Sequence, residues 1–129
     1  MTHWSEEYLA RGYREGAYDC ADLVADVQRE RFGRDLALPS RALGVRGRDV
    51  QMRAMSSAYA RPADDPAEGD LVLMRAAGRR TDIGHHVGVL CLVRGRRHVL
   101  HCRPVGTCLH PLDGLGRHGI ELVGIYAWR

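Results

Sequence analysis

An α+β fold is expected for this chain, and three observations predict it. Apolar residues at helical spacing sit in the first half, as in Cys20, Leu23, Val24 and Val27. The second half carries short apolar runs instead, among them Leu71-Val72-Leu73-Met74 and Val87-Gly88-Val89-Leu90-Cys91, separated by turn-forming stretches. The 129 residues, 45% of them apolar, suit one domain with its own core and no disulfide staples. Helices followed by strands predict N-terminal helices packed on an antiparallel sheet of about five strands.

Each element has its own justification. Trp4, Tyr8 and Leu9 allow a short helix before Gly12, capped by Thr2 or Ser5. Gly12 and Gly16 break the backbone and lead into Tyr18-Asp19-Cys20. A helix is expected over 20–32, with Arg29 and Arg31 in its last turn and Gly33 as its stop. Leu36-Ala37-Leu38-Pro39 reads as an extended connector, because a residue before proline is pushed out of the helical region. Met52, Met55 and Tyr59 repeat at helical spacing and predict a second helix over 48–59. Beyond the turn-forming stretch 62–69, strands are expected at 70–74, 86–93, 98–103, 106–112 and 120–128. A polar loop over 75–84 and a turn over 94–97 separate the first three. No repeat and no linker long enough to divide domains occurs, so 1–129 reads as a single domain.

Charge and composition narrow the partners. Lys and Arg number 19 against 16 Asp and Glu, a net +3 that suits an anionic partner such as a cell-wall polymer. Nucleic acid is not expected, since no five-residue basic run occurs and few aromatics are present for base stacking. No tract is long enough to cross a membrane, and Met1-Thr2-His3-Trp4-Ser5-Glu6-Glu7 lacks the apolar core of a signal peptide. The expectation is synthesis in the cytoplasm, with any action outside it depending on another system for delivery. Cys20, Cys91, Cys102 and Cys108 lack the spacing of a disulfide framework and are taken as reduced. Whether Cys102 and Cys108 face one another across a turn stays open.

The candidate chemistry centres on Cys20. A thiol in the first turn of a helix lies near unsatisfied N–H groups and the positive end of the dipole, both of which favour the thiolate. A nucleophilic thiolate needs a base, and the base needs a third group to fix its tautomer. His86 opens the central strand and His101 lies in the next one, where adjacent antiparallel strands bring side chains into contact. Cys20, His86 and His101 would then be nucleophile, base and orienter. His85, His98, His110 and His118 are taken singly as exposed or hydrogen-bonded structural residues, and Cys91 as core. A zinc site among His85, His86, His98, His101, Cys102, Cys108 and His110 is the competing reading. No pair has CxxC spacing, and His98 and His101 point to opposite faces of a strand, so no metal or other cofactor is expected.

Three stretches, in order, resemble the NlpC/P60 family of papain-like cysteine peptidases, especially its small phage-tail-associated members. Tyr18-Asp19-Cys20-Ala21-Asp22-Leu23-Val24 is similar to the nucleophile motif, with Ala21-Asp22 in place of the common Ser-Gly. Pro66-Ala67-Glu68-Gly69-Asp70-Leu71 resembles the Pro-x-x-Gly-Asp-Leu strand, and His85-His86-Val87-Gly88-Val89 resembles the His-Val-Gly-Ile strand that carries the base. The match to His-Val-Gly favours His86 over His85, and Val99-Leu100-His101 stands where the family places its third polar residue. The resemblance implies a papain-like fold and hydrolysis of an amide in peptidoglycan stem peptides, typically between D-γ-glutamyl and a diamino acid. It implies a peptidoglycan or muropeptide substrate, and phage-tail or delivery-system proteins as partners. A backbone N–H beside Cys20 would stabilise the oxyanion. Tyr18 would add a hydroxyl donor, and Asp19 would orient substrate amines or cap the helix. Two alternatives stand beside this: a thiol amidase or acyltransferase on another substrate, and a non-enzymatic tail or assembly protein that keeps the fold.

Overall fold

The structure is a computed structural model and describes residues 3–12, 14, 18–36, 60–76 and 85–128. It begins with a 3-10 helix, Trp4–Tyr8, capped by His3, whose ring accepts from the Ser5 N–H. The cap expected from Ser5 is absent because the helix begins at Trp4 and Ser5 lies inside it, and the alternative cap Thr2 lies outside the described residues. The helix α1, Cys20–Phe32, follows. Asp19 accepts from the Ala21 and Asp22 N–H groups while the Asp22 carboxylate accepts from the Asp19 N–H, a reciprocal capping box. Gly33 ends the helix at φ 69°, a left-handed conformation that glycine adopts without a Cβ penalty. The helix expected over 48–59 lies outside the described residues.

Among the described residues, six antiparallel strands form one sheet: β1 Ala60–Pro62, β2 Leu71–Ala76, β3 His85–Val93, β4 Arg96–Arg103, β5 Gly106–Pro111 and β6 Ile120–Trp128. Their spatial order is β1-β6-β2-β3-β4-β5. The sheet thus exceeds the expected five strands by β1, whose Ala-Arg-Pro gives no apolar alternation and pairs only because β6 offers it an edge. Another 3-10 helix, Leu112–His118, is also unforeseen: Leu112, expected to close the 106–112 strand, opens this helix after Pro111, and the stretch up to 119 carries no expectation. Strands β3 and β4 are joined by Arg94 and Gly95 alone, at φ 53° and 75°. Two successive positive φ values make the tight turn whose twist matches the flanking strands, so Arg96 and Arg97 belong to β4 rather than to the turn.

The sheet buries apolar residues on both faces. On one, Leu23, Val24 and Val27 of α1 pack on Leu71, Leu73, Val87, Val89, Cys91, Leu100 and Cys102. On the other, Leu115 of the second 3-10 helix covers Val72, Met74, Leu90 and Val99. Covering both faces explains why Val87 to Cys91 reads as an unbroken apolar run rather than an alternating one. Each such Leu or Val stabilises the fold by about 1.5–3 kcal/mol relative to exposure. Helix α1 has a fixed heading across its face. Its last residue, Phe32, lies against Gly69, and Gln28 Nε2 donates to the Gly69 carbonyl. Its first turn therefore lies toward the opposite end, where β3 begins and β4 ends.

Candidate active site

Cys20 is the first residue of α1, only 7% exposed, with its Asp19 cap immediately before it. Asp19 is therefore a capping residue, and its side chain holds two of the first-turn donors. The charges of Asp19 and Asp22 also act through space on Cys102. That thiol titrates above its ordinary range, first because it is buried and further because these charges face it. This places the N-terminus of α1 over the end of β4, at the level where β3 starts.

Tyr18 does not aim at the thiol. Its hydroxyl donates to Asp26 Oδ2 at 2.9 Å, and Arg11 Nη1 donates to the same oxygen at 2.8 Å. Burial, with Asp26 adding to it, pushes the phenol up to about 12. The expected role of Tyr18 as a hydroxyl donor at the oxyanion is thus corrected: the group is committed two turns down the helix. Arg11, Gly12, Arg14 and Tyr18 instead line a cavity of about 200 Å³ just ahead of Cys20, with Arg14 exposed on its wall.

The expected base and orienter do meet. His86 Nε2 lies 2.8 Å from His101 Nδ1, a hydrogen bond between imidazoles across β3 and β4. His101 is fully buried, and its other nitrogen lies 3.0 Å from His110 Nδ1 on β5. His110 in turn stacks on His118, ring centroids 3.8 Å apart at 7°. Four histidines thus form one chain from the start of β3 to the surface. Burial holds His86 and His101 uncharged, with His86 lowered to about 4.

Strand alternation then decides which imidazole shares a face with the thiol. The register pairs Leu73 with Val87, Met74 with His86 and Arg75 with His85. Paired residues share a face and neighbours alternate, so His86 stands with Met74, Gly88 and Leu90, and His85 with Leu73, Val87 and Val89. Helix α1 covers the second of these faces. His86 and His101 therefore stand on the face away from Cys20, and His85, half-buried at the start of β3, stands on its side. The pairing of Leu100 with Leu109 and of His101 with Cys108 agrees, placing Leu100 on the helix face and His101 on the other.

The remaining candidates fall as follows. Cys91 is fully buried core, as expected. Cys102 pairs with Thr107 while Cys108 pairs with His101, so the two thiols point to opposite faces and do not meet across the turn. His98 and His101 also occupy opposite faces. His110 and His118 were not expected to join His101. The signal was present in the 106–112 strand, whose register sets His110 beside Val99, but the turn that fixes this register cannot be read from composition. No family model, curated protein or solved structure matches the chain.

Proposed function

We propose that the protein is a cysteine hydrolase acting on an amide bond, with Cys20 as nucleophile and His85, rather than His86, as the base. The observation that carries this reading is the strand register, which puts the imidazole that opens β3 on the sheet face covered by α1, whose capped N-terminus bears the thiol. The helix N-terminus favours the thiolate, and His85 would take its proton. Attack on the carbonyl would form a thioester and release the amine with the proton from His85. A water activated by the same imidazole would then free the acid.

The substrate class rests on the resemblance to NlpC/P60 peptidases: a peptidoglycan stem peptide, cleaved between D-γ-glutamyl and a diamino acid. Exposed Arg14 on the wall of the cavity ahead of Cys20 supports an anionic substrate, while Arg11 beside it is paired with Asp26 and Glu30. Delivery by a phage tail or a similar carrier belongs to the same proposal. A second reading is favoured by the separation of Cys20 from the His86–His101 pair: an assembly protein that keeps the fold without the chemistry.

Thiol alkylation across pH, read residue by residue by mass spectrometry, separates the two. The hydrolase reading expects Cys20 to react at lower pH than Cys91 and Cys102, and to lose that reactivity in His85→Ala but keep it in His86→Ala. Loss in His86→Ala alone would return the base to His86. A Cys20 no more reactive than the core thiols would leave the assembly reading. Incubation of the reactive wild type with muropeptides then identifies the bond.

A further inference from the structure

A second group of ligand-type side chains lies at the other end of the α1 face, near Phe32 and Trp4, and takes no part in the reading above. His3 caps the N-terminal turn, Glu68 sits in the turn closed by Asp70 N–H to Ala67 O, and Cys91 lies near the end of β3. One ligating atom of each falls within 4.8 Å of the other two. We propose that His3 Nε2, a Glu68 carboxylate oxygen and Cys91 Sγ form a site for a borderline-soft divalent cation, zinc by class, which fastens the N-terminal segment to the sheet.

The donor set is one imidazole, one carboxylate and one thiolate, which favours zinc over the hard cations that choose oxygen alone. The three come from distant parts of the chain, so binding would cross-link the N-terminal turn, the turn before β2 and the end of β3. Their orientation is already set. His3 Nδ1 lies 2.8 Å from the hydroxyl of the fully buried Ser5. Freeing the Nε2 lone pair for the ion puts the ring proton on Nδ1, where the Ser5 hydroxyl accepts it in exchange for the Ser5 N–H bond to that nitrogen, the kind of outer-shell partner that ligating histidines use. Glu68 is held by the Leu92 N–H at 2.6 Å on one oxygen and by Trp4 Nε1 at 2.9 Å on the other. The side chains of His3 and Glu68 are 17% and 30% exposed, which gives the ion an entry path and a fourth position open to water.

Without an ion, the His3 Nε2–H donates to Glu68, so a cation competes with protons there. On binding, the His3 proton moves from Nε2 to Nδ1 and the Cys91 thiol gives its proton to solvent. One proton is released per ion. Because the thiol must lose its proton to ligate, affinity rises with pH.

Titration of the purified full chain with Co²⁺, followed by absorption, tests this. The expected result is one equivalent bound, with a thiolate-to-cobalt charge-transfer band and visible bands of four-coordinate cobalt, both displaced by Zn²⁺. Cys91→Ala removes the charge-transfer band and Cys20→Ala keeps it. His3→Ala and Glu68→Gln, changed at partly buried positions, weaken binding at least tenfold while retaining the far-ultraviolet circular dichroism of the wild type. Ser5→Ala weakens it about 10- to 100-fold through His3. A wild type with no charge-transfer band overturns the proposal, as does a band that survives Cys91→Ala or disappears with Cys20→Ala. The result does not depend on whether Cys20 is catalytic.

Discussion

Asp19 shows how much one side chain settles at the start of α1. Its carboxylate satisfies the N–H groups of Ala21 and Asp22, which the helix itself cannot pair. Replacing it by Ala should cost about 0.5–2 kcal/mol, read as a lower urea midpoint at constant slope. Tyr18→Phe separates the two roles considered for that hydroxyl. It removes the bond to Asp26 and should cost about 0.5–1.5 kcal/mol, yet leave the pH profile of Cys20 alkylation where it was. A shift of that profile would bring Tyr18 back to the thiol.

At the scale of elements, strands β3, β4 and β5 are held together by imidazoles as well as by backbone bonds. His101 bonds His86 on one side and His110 on the other, with no water-exposed surface of its own. Burial lowers the pKa of His86 from an ordinary 6.5 to about 4, and lowers those of His101 and His110 too. The unfolded chain therefore takes up protons below about pH 6.5 that the folded chain cannot, and it does so down to about pH 4. Stability should be level above that window and fall as pH drops through it. Urea midpoints measured across the window check this, and a His86→Gln/His101→Gln chain should show a flatter dependence. Equal dependence in both would remove the histidine chain as the cause. Gly88 belongs to the same packing. A Cβ there would lie 2.5 Å from Val99 Cγ2 and 2.7 Å from the Leu100 carbonyl oxygen. Gly88→Ala should accordingly destabilise by about 1–3 kcal/mol, by forcing β3 and β4 apart.

For the whole molecule, helix and sheet meet at one carbonyl. Gly69 O accepts from Gln28 Nε2 of α1 and from Trp128 Nε1 at the end of β6, each at 2.9 Å. Gln28 is fully buried, so its amide is bound to this partner and to Arg34 rather than to water. Gln28→Leu and Trp128→Phe remove the two donors in turn, and the double variant leaves the carbonyl unpaired. A double-mutant cycle should therefore show a coupling of about 0.5–3 kcal/mol, measured by chemical unfolding. Strict additivity would mean that α1 and β6 are stabilised independently.

Local signals sufficed wherever one stretch of chain contained its own cause. The period of Leu23, Val24 and Val27, the cap at Asp19 and the stop at Gly33 made the bounds of α1 readable, and the apolar runs marked β2, β3 and β6. The α+β class and the burial of Cys91 followed from the same patterns. Strand β1 and the Leu112–His118 helix were not legible, because each forms on a surface that another part of the chain supplies. The site divided in the same way. The sequence alone marked Cys20 as a first-turn thiol and paired His86 with His101, since both depend on neighbouring elements. Which imidazole stands on the thiol's side was decided by the tertiary structure. A strand's two faces are equivalent in sequence until a helix covers one of them, and adjacent histidines at 85 and 86 point to opposite faces. By packing α1 on the side of Val87 and Val89, the fold set Cys20 on the side of His85 and gave His86 to the buried chain that runs through His101 to His110.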